Sequence, residues 1–355
     1  MTNALITGWG MYAPSRVMTN DELATMVETS DEWIVSRTGI RERRIAADDE
    51  TTTTLSVHAS RDALAVAGLA PSDLDLVILG TCSPDYYMPA TAPLVAHELG
   101  ATRAAGFDLM AACSGFVFSL ATATAYVRSG MYRNVLVIGV ELLSRFLDYT
   151  DRNTCVLFGD GAGAVIVSAS DGPGGLLGLD MYSDGSGKEG IIFPAGGSAC
   201  PTTPKTLAEG GQYVHMAGKE VYKYATRQLA ESSRSALRAA GLSVADVDQF
   251  LFHQANLRII ESVQNAVGIP AEKTYLNIAR YGNTSAASVP MALVEAIAEG
   301  RIKPGDRLLM AAFGAGYTAG AAVVEWTADP SRAFLAPGDQ TRMGQPRREL
   351  AEVGA

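Results

Sequence analysis

The sequence predicts an α/β fold made of two similar halves, and three observations lead to this prediction. Short apolar runs rich in Val, Ile and Leu recur along the chain, which is typical of strands buried on both faces of a sheet. Segments with helical spacing lie between these runs, and this alternation favours a largely parallel sheet. The third observation is an internal repeat, in which residues 62–80 align without gaps on residues 235–253.

The predicted elements can be placed in order along the chain. A strand at 106–110 leads through the sequence AACSGF into an apolar helix at 116–127, and residues 221–240 form a longer helix. A further strand is predicted at 274–280, before a helix at 285–300. The other predicted strands cover residues 76–79, 135–138, 164–167, 250–252 and 308–313.

The internal repeat divides the chain. Seven of its 19 aligned positions are identical at an offset of 173, and each copy reads as a helix ended by glycine, a polar turn and a buried strand. Chance similarity of such units is the alternative, but a looser echo between the segments after Gly130 and Gly300 favours duplication. We predict an N-terminal half at 1–172 and a C-terminal half at 173–326. Residues 327–355, rich in Arg and acidic residues, are expected to form a mobile tail.

Composition restricts the function classes. The 355 residues are 48% apolar and 19% charged, which indicates a compact globule. A net charge of -10 argues against a general binder of nucleic acid or anionic membranes. The four cysteines form no C-x-x-C motif, which favours reduced thiols. Because no signal peptide or membrane-length apolar run is recognisable, we expect a soluble cytoplasmic protein.

Ligands bind beyond the carboxyl ends of parallel strands, so the strand ends are where a site is expected. Cys113 lies at a strand-to-helix junction, where unpaired N–H groups and the helix dipole favour an anion. We therefore expect its thiol to ionise more easily than that of free cysteine. The alternative is a buried cysteine that serves only as a small apolar side chain.

Two polar residues of the second half are predicted to reach the same crevice. His253 follows one strand, and Asn283 lies beside Ala286, the counterpart of Cys113 in the repeat. Taken singly, they would be a core histidine and a turn residue. Together, a nucleophile, a ring that exchanges protons and an amide donor suit covalent acyl chemistry. The glycines at 314–316 either form a tight turn or bring backbone N–H groups close to a ligand.

Nucleotide and metal motifs are not supported. The segments at 185–190 and 314–319 fit a dinucleotide fingerprint, but the residues that follow them read as extended rather than helical. Residues 158–167 are better explained by a bend that leads into a strand than by a phosphate loop. We predict no metal and no cofactor.

Basic side chains cluster in two places despite the net negative charge. The first cluster surrounds an aromatic ring and suits a phosphorylated ligand; it comprises Trp33, Arg37, Arg41, Arg43 and Arg44. The second has the spacing of one stripe on a helix, for which ordinary solvated charge is the alternative; it comprises Lys219, Lys223, Arg227, Arg234 and Arg238.

Six segments, taken in order, resemble the signatures of one enzyme family. They are TSDEWIVSRTGIRERR, AACSGF, DRNTCVLFGDGAGA, HQANLRII, YGNTSAASVP and FGAGYTAG. The sequence is similar, from residue 4 to residue 326, to β-ketoacyl-acyl carrier protein synthase III, a condensing enzyme of the thiolase fold. This resemblance implies a five-layered αβαβα fold of two similar halves, and a homodimer.

The resemblance also implies a reaction. Cys113 would take an acyl group from acyl-CoA, and malonyl-acyl carrier protein would then lose CO2 and attack the thioester. His253 and Asn283 would bind the malonyl thioester oxygen, while the N–H groups of Cys113 and Ala315 would form the second oxyanion hole. Phe313 would line the decarboxylation site.

Binding residues are implied in the same way. Met88 occupies the position of a phenylalanine that limits the acyl pocket across the dimer, and its flexibility suggests a primer longer than acetyl. Lys223 and Arg258 would dock the acidic carrier protein, and Trp33 and Arg152 would enclose the adenine of CoA. The full set implied for the CoA tunnel is Trp33, Arg37, Arg152, Asn256 and Arg258.

Three functions remain open from sequence. The first is the condensation that initiates fatty-acid synthesis. The second is the same chemistry priming a polyketide or another specialised pathway. The third is a non-catalytic protein that binds acyl-CoA or carrier protein, although such a protein would not need all three polar residues.

Overall fold

The computed structural model describes residues 2–332, so the predicted tail lies outside the described residues from position 333 onward. Thirteen strands occur in this part of the chain. They are β1 (Asn3–Tyr12), β2 (Arg16–Thr19), β3 (Glu42–Ile45), β4 (Leu76–Gly80), β5 (Ala105–Leu109), β6 (Asn134–Glu141), β7 (Gly161–Ser170), β8 (Gly175–Tyr182), β9 (Ile191–Ile192), β10 (His215–Met216), β11 (Gln249–Phe252), β12 (Arg307–Gly314) and β13 (Thr318–Glu325).

Ten α-helices occur in the same residues. They are α1 (Asn20–Leu23), α2 (Asp31–Thr38), α3 (Thr52–Ala67), α4 (Thr91–Leu99), α5 (Gly115–Arg128), α6 (Pro204–Ala208), α7 (Gly218–Ala240), α8 (Leu257–Val267), α9 (Ile278–Tyr281) and α10 (Ser288–Ala298). Between residues 2 and 332, none of them combines the length and apolarity needed to cross a bilayer.

Two sheets form the centre of the molecule. The first has the order β1-β7-β6-β4-β5 and the second the order β8-β13-β12-β11. Only β4 with β5, β4 with β6 and β11 with β12 are parallel pairs, so the prediction of a largely parallel sheet is wrong. The physical reason is clearest at β12 and β13, because the three residues 315–317 between them are too few for a crossover and force an antiparallel pair.

The internal repeat is visible in the fold. An offset of 173 carries β6 (residues 134–141) onto β12 (residues 307–314) and the helical turn at 112–114 onto the turn at 285–287. Ala112 and Ser285 are equivalent in these turns, and both have positive φ, at 47° and 46°. The strand order β1-β7-β6-β4 is repeated as β8-β13-β12-β11. Two similar halves, as predicted, therefore make up the fold.

The helices complete five layers. α5 and α10 lie between the two sheets, α3 and α4 cover the outer face of the first, and α7 and α8 cover the outer face of the second. Each of the three helix layers has its own cluster of buried apolar side chains. The sheets thus place the carboxyl ends of β5, β11 and β12 around the central layer.

One predicted strand is absent. Residues 274–280 form a single bridge, between Thr274 and Phe250, and then enter the short helix α9. Asn277 explains the difference, because its side chain donates to Glu295 Oε2 at 2.8 Å and its N–H donates to Gln254 Oε1. These buried side-chain bonds satisfy groups that a strand would have paired with a neighbour.

Candidate active site

A cavity of about 1310 Å³ lies at the strand ends and is lined by both halves of the chain. Cys113 reaches it from the first half, and His253 and Asn283 reach it from the second. Phe313 and Ala315, at the end of β12, complete the set of residues expected here. The fold therefore brings these five residues to one cavity, although they span more than half of the chain.

Cys113 is held in a turn between β5 and α5. The preceding Ala112 adopts the left-handed conformation that L-residues rarely take, and Cys113 as a whole residue is 8% exposed. Across the turn, a Cβ at Gly314 would come within 2.6 Å of the Cys113 amide nitrogen. A glycine is thus required for β12 to end beside the nucleophile, with Ala315 next to it.

The expectation that the Cys113 thiol ionises easily is wrong. Burial is the main cause that raises its pKa to about 12. A hydrogen bond from Ser285 lowers the pKa by less, and the charge of Glu141 raises it further. A helix N-terminus stabilises an anion by at most about 2 kcal/mol. Complete burial can shift a pKa by roughly 3–5 units, each equivalent to about 1.4 kcal/mol, so burial dominates.

His253 directly follows β11. Its N–H donates to the Ala311 carbonyl at 2.8 Å, and its Nδ1 lies 2.6 Å from Ser288 Oγ, which also lies 2.9 Å from the Ser285 carbonyl oxygen. Burial lowers the pKa of the imidazole to about 3. The ring is therefore neutral at physiological pH and can offer a hydrogen bond without carrying a charge.

Asn283 is fixed by the chain on both sides. Its N–H donates to the Leu157 carbonyl at 2.8 Å, and its own carbonyl accepts from Gly159 at 3.0 Å. The side-chain oxygen accepts the Ser285 N–H at 2.8 Å. With the oxygen engaged in this way, the amide nitrogen is the end that can donate to a ligand.

The wall beside the triad is aromatic. The Phe313 ring lies 5.9 Å from Tyr224 and 5.6 Å from Tyr317, centroid to centroid. Aromatic side chains packed in this way exclude water, which strengthens hydrogen bonds made inside the cavity.

Three of the residues expected to bind CoA line the cavity. They are Arg37, Asn256 and Arg258. Asn256 caps α8, accepting the Arg258 N–H at 2.9 Å and donating to the Arg37 carbonyl at 3.0 Å. This contact joins α8 to α2, so one arginine from each helix is held at the same cavity.

Trp33 and Arg152 do not line the cavity but adjoin it. The guanidinium groups of Arg37 and Arg152 each lie 4.8 Å from the centroid of the Trp33 ring. Arg152 also donates to the Glu28 carbonyl at 2.9 Å. An adenine ring could enter between Trp33 and Arg152 only if the two side chains moved apart.

The basic stripe lies on α7 as predicted, but its members differ. Lys219 and Lys223 line the cavity. Arg238 instead forms an ion pair, at 2.8 Å, with Glu231 of the same helix. In the other cluster, Arg43 is fully buried and donates to two carbonyls and to Asn20, so the interpretation of Arg43 as a ligand-binding residue is wrong.

Met88 is 85% exposed and is not among the residues that line the cavity of its own chain. Its neighbours Tyr86 and Tyr87 do line it. A role for Met88 in the acyl pocket requires a second copy of the chain and stays a prediction.

Sequence reasoning missed three polar residues behind the triad. Glu141 is fully buried at the end of β6, and Ser285 and Ser288 lie on the turn and helix that follow Asn283. Two signals could have revealed them. Glu141 is a charged residue type that directly follows the apolar run VLVIGV, and Ser285 is the counterpart of Ala112 in the repeat.

The duplicated five-layer fold, with a buried cysteine, a histidine and an asparagine on one cavity, defines a condensing enzyme of the thiolase fold. A family model described as 3-Oxoacyl-[acyl-carrier-protein (ACP)] synthase III matches residues 107–185, and that of its C-terminal part matches residues 237–326. A curated relative from Roseiflexus castenholzii, named Beta-ketoacyl-[acyl-carrier-protein] synthase III, is 54% identical over 92% of this chain and 98% of its own. The chain belongs to the β-ketoacyl-acyl carrier protein synthase III family.

Other relatives agree. A protein of the same name from Desulfitobacterium hafniense is 49% identical over 92% of this chain and 99% of its own. The crystal structure of 3-oxoacyl-[acyl-carrier-protein] synthase III from Aquifex aeolicus matches with a TM-score of 0.84 and 45% identity, over 92% of this chain and 100% of that one. The predicted thiolase-like fold is confirmed. The chain is an acyltransferase of the condensing type, with the fatty-acid-initiating chemistry of its family, and the non-catalytic alternative is set aside.

Proposed function

We propose that this enzyme condenses an acyl-CoA primer with malonyl-acyl carrier protein through an acyl group carried on Cys113. The observation that carries the proposal is the meeting of Cys113, His253 and Asn283 on one cavity. The thiol takes the acyl group and releases CoA. Malonyl-acyl carrier protein then loses CO2, and its carbanion attacks the thioester to give a β-ketoacyl product.

In the first step, negative charge develops on the primer carbonyl oxygen. The N–H groups of Cys113 and Ala315 bind that oxygen in the proposed mechanism, supported by the close approach of Gly314 to the Cys113 amide. Removal of one such donor typically raises a barrier by about 2.7–4 kcal/mol.

In the second step, His253 and Asn283 stabilise the enolate formed as CO2 leaves, beside Phe313. The ring donates from Nε2 in this proposal, and the Ser288 hydroxyl donates to Nδ1. The 2.6 Å contact to Nδ1 fits this tautomer, in which the single hydroxyl hydrogen of Ser288 goes to the ring and not to the Ser285 carbonyl at 2.9 Å. A neutral ring suits the task, since the donated hydrogen bond strengthens only as the enolate forms.

The outer cavity binds CoA and then the carrier protein. Arg37, Asn256 and Arg258 contact the phosphates and pantetheine, and the adenine inserts between Trp33 and Arg152. Lys223 and Arg258 dock the acidic carrier protein. Their place at the cavity supports this assignment, because exposed arginine and lysine suit phosphates and an acidic partner.

The acyl pocket accepts a primer longer than acetyl. Support comes from the apolar side chains that line the cavity, and in this proposal flexible Met88 reaches in from a second subunit. These side chains are Leu143, Phe146, Phe158, Ile192, Phe193 and Val214.

The proposed setting is a cytoplasmic homodimer that acts without a metal or cofactor, with acyl-CoA as a substrate and no nucleic acid or membrane partner. The four free cysteines support a reducing compartment. A second role, priming a polyketide pathway, has specific support. A priming β-ketosynthase from the R1128 polyketide pathway matches with a TM-score of 0.86 and 38% identity, over 92% of this chain and 97% of that one.

The proposal is tested by acyl loading. The enzyme is incubated with acetyl-, butyryl-, isobutyryl- and longer acyl-CoAs, the adduct is located by peptide mass spectrometry, and malonyl-acyl carrier protein is then added. Cys113→Ala should abolish loading. Cys200→Ala, which removes another free cysteine, should load like the wild type.

Two further variants test the division of labour. His253→Ala and Asn283→Ala should still load but should fail to decarboxylate malonyl-acyl carrier protein. An adduct absent from Cys113 with every primer would overturn the mechanism, and best turnover with acetyl-CoA would overturn the primer assignment.

A further inference from the structure

A buried carboxyl group lies behind the nucleophile and takes no part in the mechanism above. Glu141 ends β6 and is fully buried. Its Oε1 lies 3.0 Å from Ser285 Oγ, and the same hydroxyl oxygen lies 3.3 Å from Cys113 Sγ. One hydroxyl group therefore connects the nucleophile to the carboxyl group.

The contacts of Glu141 stabilise its ionised form. The Cys82 N–H donates to both carboxylate oxygens at 3.2 Å. Ser83 accepts the Leu142 N–H, so its own hydroxyl hydrogen is available to Glu141, at 2.6 Å. Donors that surround a carboxyl group stabilise its charged form, which can take up a proton, and they oppose the effect of burial on its pKa.

His253 is a weak candidate for accepting a proton from Cys113. Its ring is buried, and Nδ1 is engaged by Ser288. Burial raises the pKa of Glu141 and lowers that of His253 to about 3, so the carboxylate is the better base of the two. The ionisable groups that face Glu141 are Cys82 and Cys113.

We propose that Glu141, acting through the Ser285 hydroxyl, accepts the proton of Cys113 when this thiol becomes the nucleophile. The S–H bond breaks as its proton passes to Ser285 Oγ, and the Ser285 hydroxyl proton passes to Glu141 Oε1. The electron pair left on sulfur attacks the acyl carbon, and the bond to the CoA sulfur breaks. The proton returns through Ser285 to the departing sulfur, so that CoA leaves as a thiol. Only this acylation step rests on the function proposed above.

The repeat supports a functional origin for the hydroxyl. Ser285 is equivalent to Ala112, and the two residues have nearly the same φ, at 46° and 47°. The turn is therefore compatible with alanine, and the hydroxyl at 285 is not needed to form it. Ser285→Ala should accordingly remove the connection and leave the backbone in place, including the N–H bond to Asn283.

The test measures alkylation of Cys113 by iodoacetamide, followed by peptide mass spectrometry that separates Cys113 from Cys82. This probe needs no acyl-CoA, so its outcome is independent of the proposed substrates. The proposal requires Glu141 to be ionised from about pH 6 upward, so in the wild type the rate should change little between about pH 6 and pH 8. A thiol that ionises alone would react about tenfold faster per pH unit.

Glu141→Gln separates two possible roles by the sign of its effect. If Glu141 accepts the proton, the variant should alkylate about 100-fold more slowly at pH 7, the low end for a positioned proton acceptor, and its rate should then rise with pH. If Glu141 acts only as a nearby negative charge, the variant should alkylate faster, since that charge raises the pKa of Cys113. Faster or unchanged alkylation would overturn the proposal.

Ser285→Ala and the double variant complete the test. Both should be as slow as Glu141→Gln, because the two groups act in one path. A double variant whose rate falls by the product of the two single-variant effects would contradict the proposal. Asp160→Asn is the matched control, since Asp160 is a buried carboxylate that likewise binds a serine hydroxyl, at 2.6 Å, and backbone N–H groups. Its alkylation rate should equal that of the wild type. Should Glu141→Gln fail to fold, the wild-type pH profile still decides the question.

Discussion

At the scale of single residues, burial decides the protonation states in the cavity. It holds Cys113 as a thiol, although the place of this residue at a helix N-terminus favours an anion, and it holds His253 as a neutral ring. Sequence reasoning could place these residues at strand ends from the repeat and the apolar runs alone. It could not give their ionisation, because solvent exclusion depends on side chains from both halves, such as Phe313 and Phe158.

The neutral state of His253 predicts a pH dependence of stability. The folded pKa of about 3 lies below the value of about 6.5 expected on unfolding. The unfolded chain therefore binds the extra proton, and this contribution to stability is complete above about pH 6.5 and lost as the pH falls towards 3. The slope should reach up to about 1.4 kcal/mol per pH unit.

Denaturant unfolding between about pH 7 and pH 5 measures this slope. His253→Gln should lose less stability on acidification than the wild type. His97→Gln, on the exposed side of α4, should follow the wild-type curve. Parallel curves for His253→Gln and the wild type would show that the ring is not held neutral.

Ser288→Ala removes the group that orients the ring. It leaves His253 Nδ1 and the Gln254 N–H without their buried partner, which should cost about 1–3 kcal/mol of stability. The rate of decarboxylation of malonyl-acyl carrier protein should fall more than the rate of acyl loading on Cys113. The two partial reactions are measured separately. An equal fall in both would point to a general structural defect.

At the scale of elements, close contact between β6 and the turn at 285–287 holds the two halves of the site in register. Gly139 allows it, because no side chain separates the strand from the Ala286 backbone. The offset of 173 predicted that these turns are equivalent. The failed strand at 274–280 shows what the pattern could not predict, since Asn277 is directed into a helix by Glu295, which lies 18 residues away.

Gly139→Ala tests this contact. The new Cβ would overlap the Ala286 carbonyl oxygen, so the turn that carries Ser285 and orients Asn283 must shift. We expect a loss of about 1–3 kcal/mol, typical of overpacking, and a lower condensation rate. Gly185→Ala is the control, since its Cβ would meet nothing within 4 Å. Thermal unfolding and steady-state turnover of both variants measure the effect; wild-type behaviour of Gly139→Ala would refute the contact.

At the scale of the whole molecule, large apolar side chains near the cavity lie open to solvent in the single chain. Tyr87 is 88% exposed, Met88 is 85% exposed and Met110 is 72% exposed. Met110 directly follows β5, the edge strand of the first sheet, whose described pairing is with β4 alone. An apolar surface beside an unpaired edge is typical of an interface, which supports the proposed homodimer.

The homodimer can be tested at this surface. Sedimentation of the full chain should give twice the chain mass of 37.3 kDa, and Tyr87→Glu and Met110→Glu should shift it towards the single-chain value. The reason is that each variant buries a charge in the proposed interface without a partner, which costs several kcal/mol. Met131→Glu is the matched control, because Met131 is 62% exposed but precedes β6. It therefore lies at the amino ends of the parallel strands, whereas Met110 lies at their carboxyl ends. If both interface variants sediment as the wild type does, this surface is not the interface. The proposed reach of Met88 into a partner's acyl pocket would then fail with it.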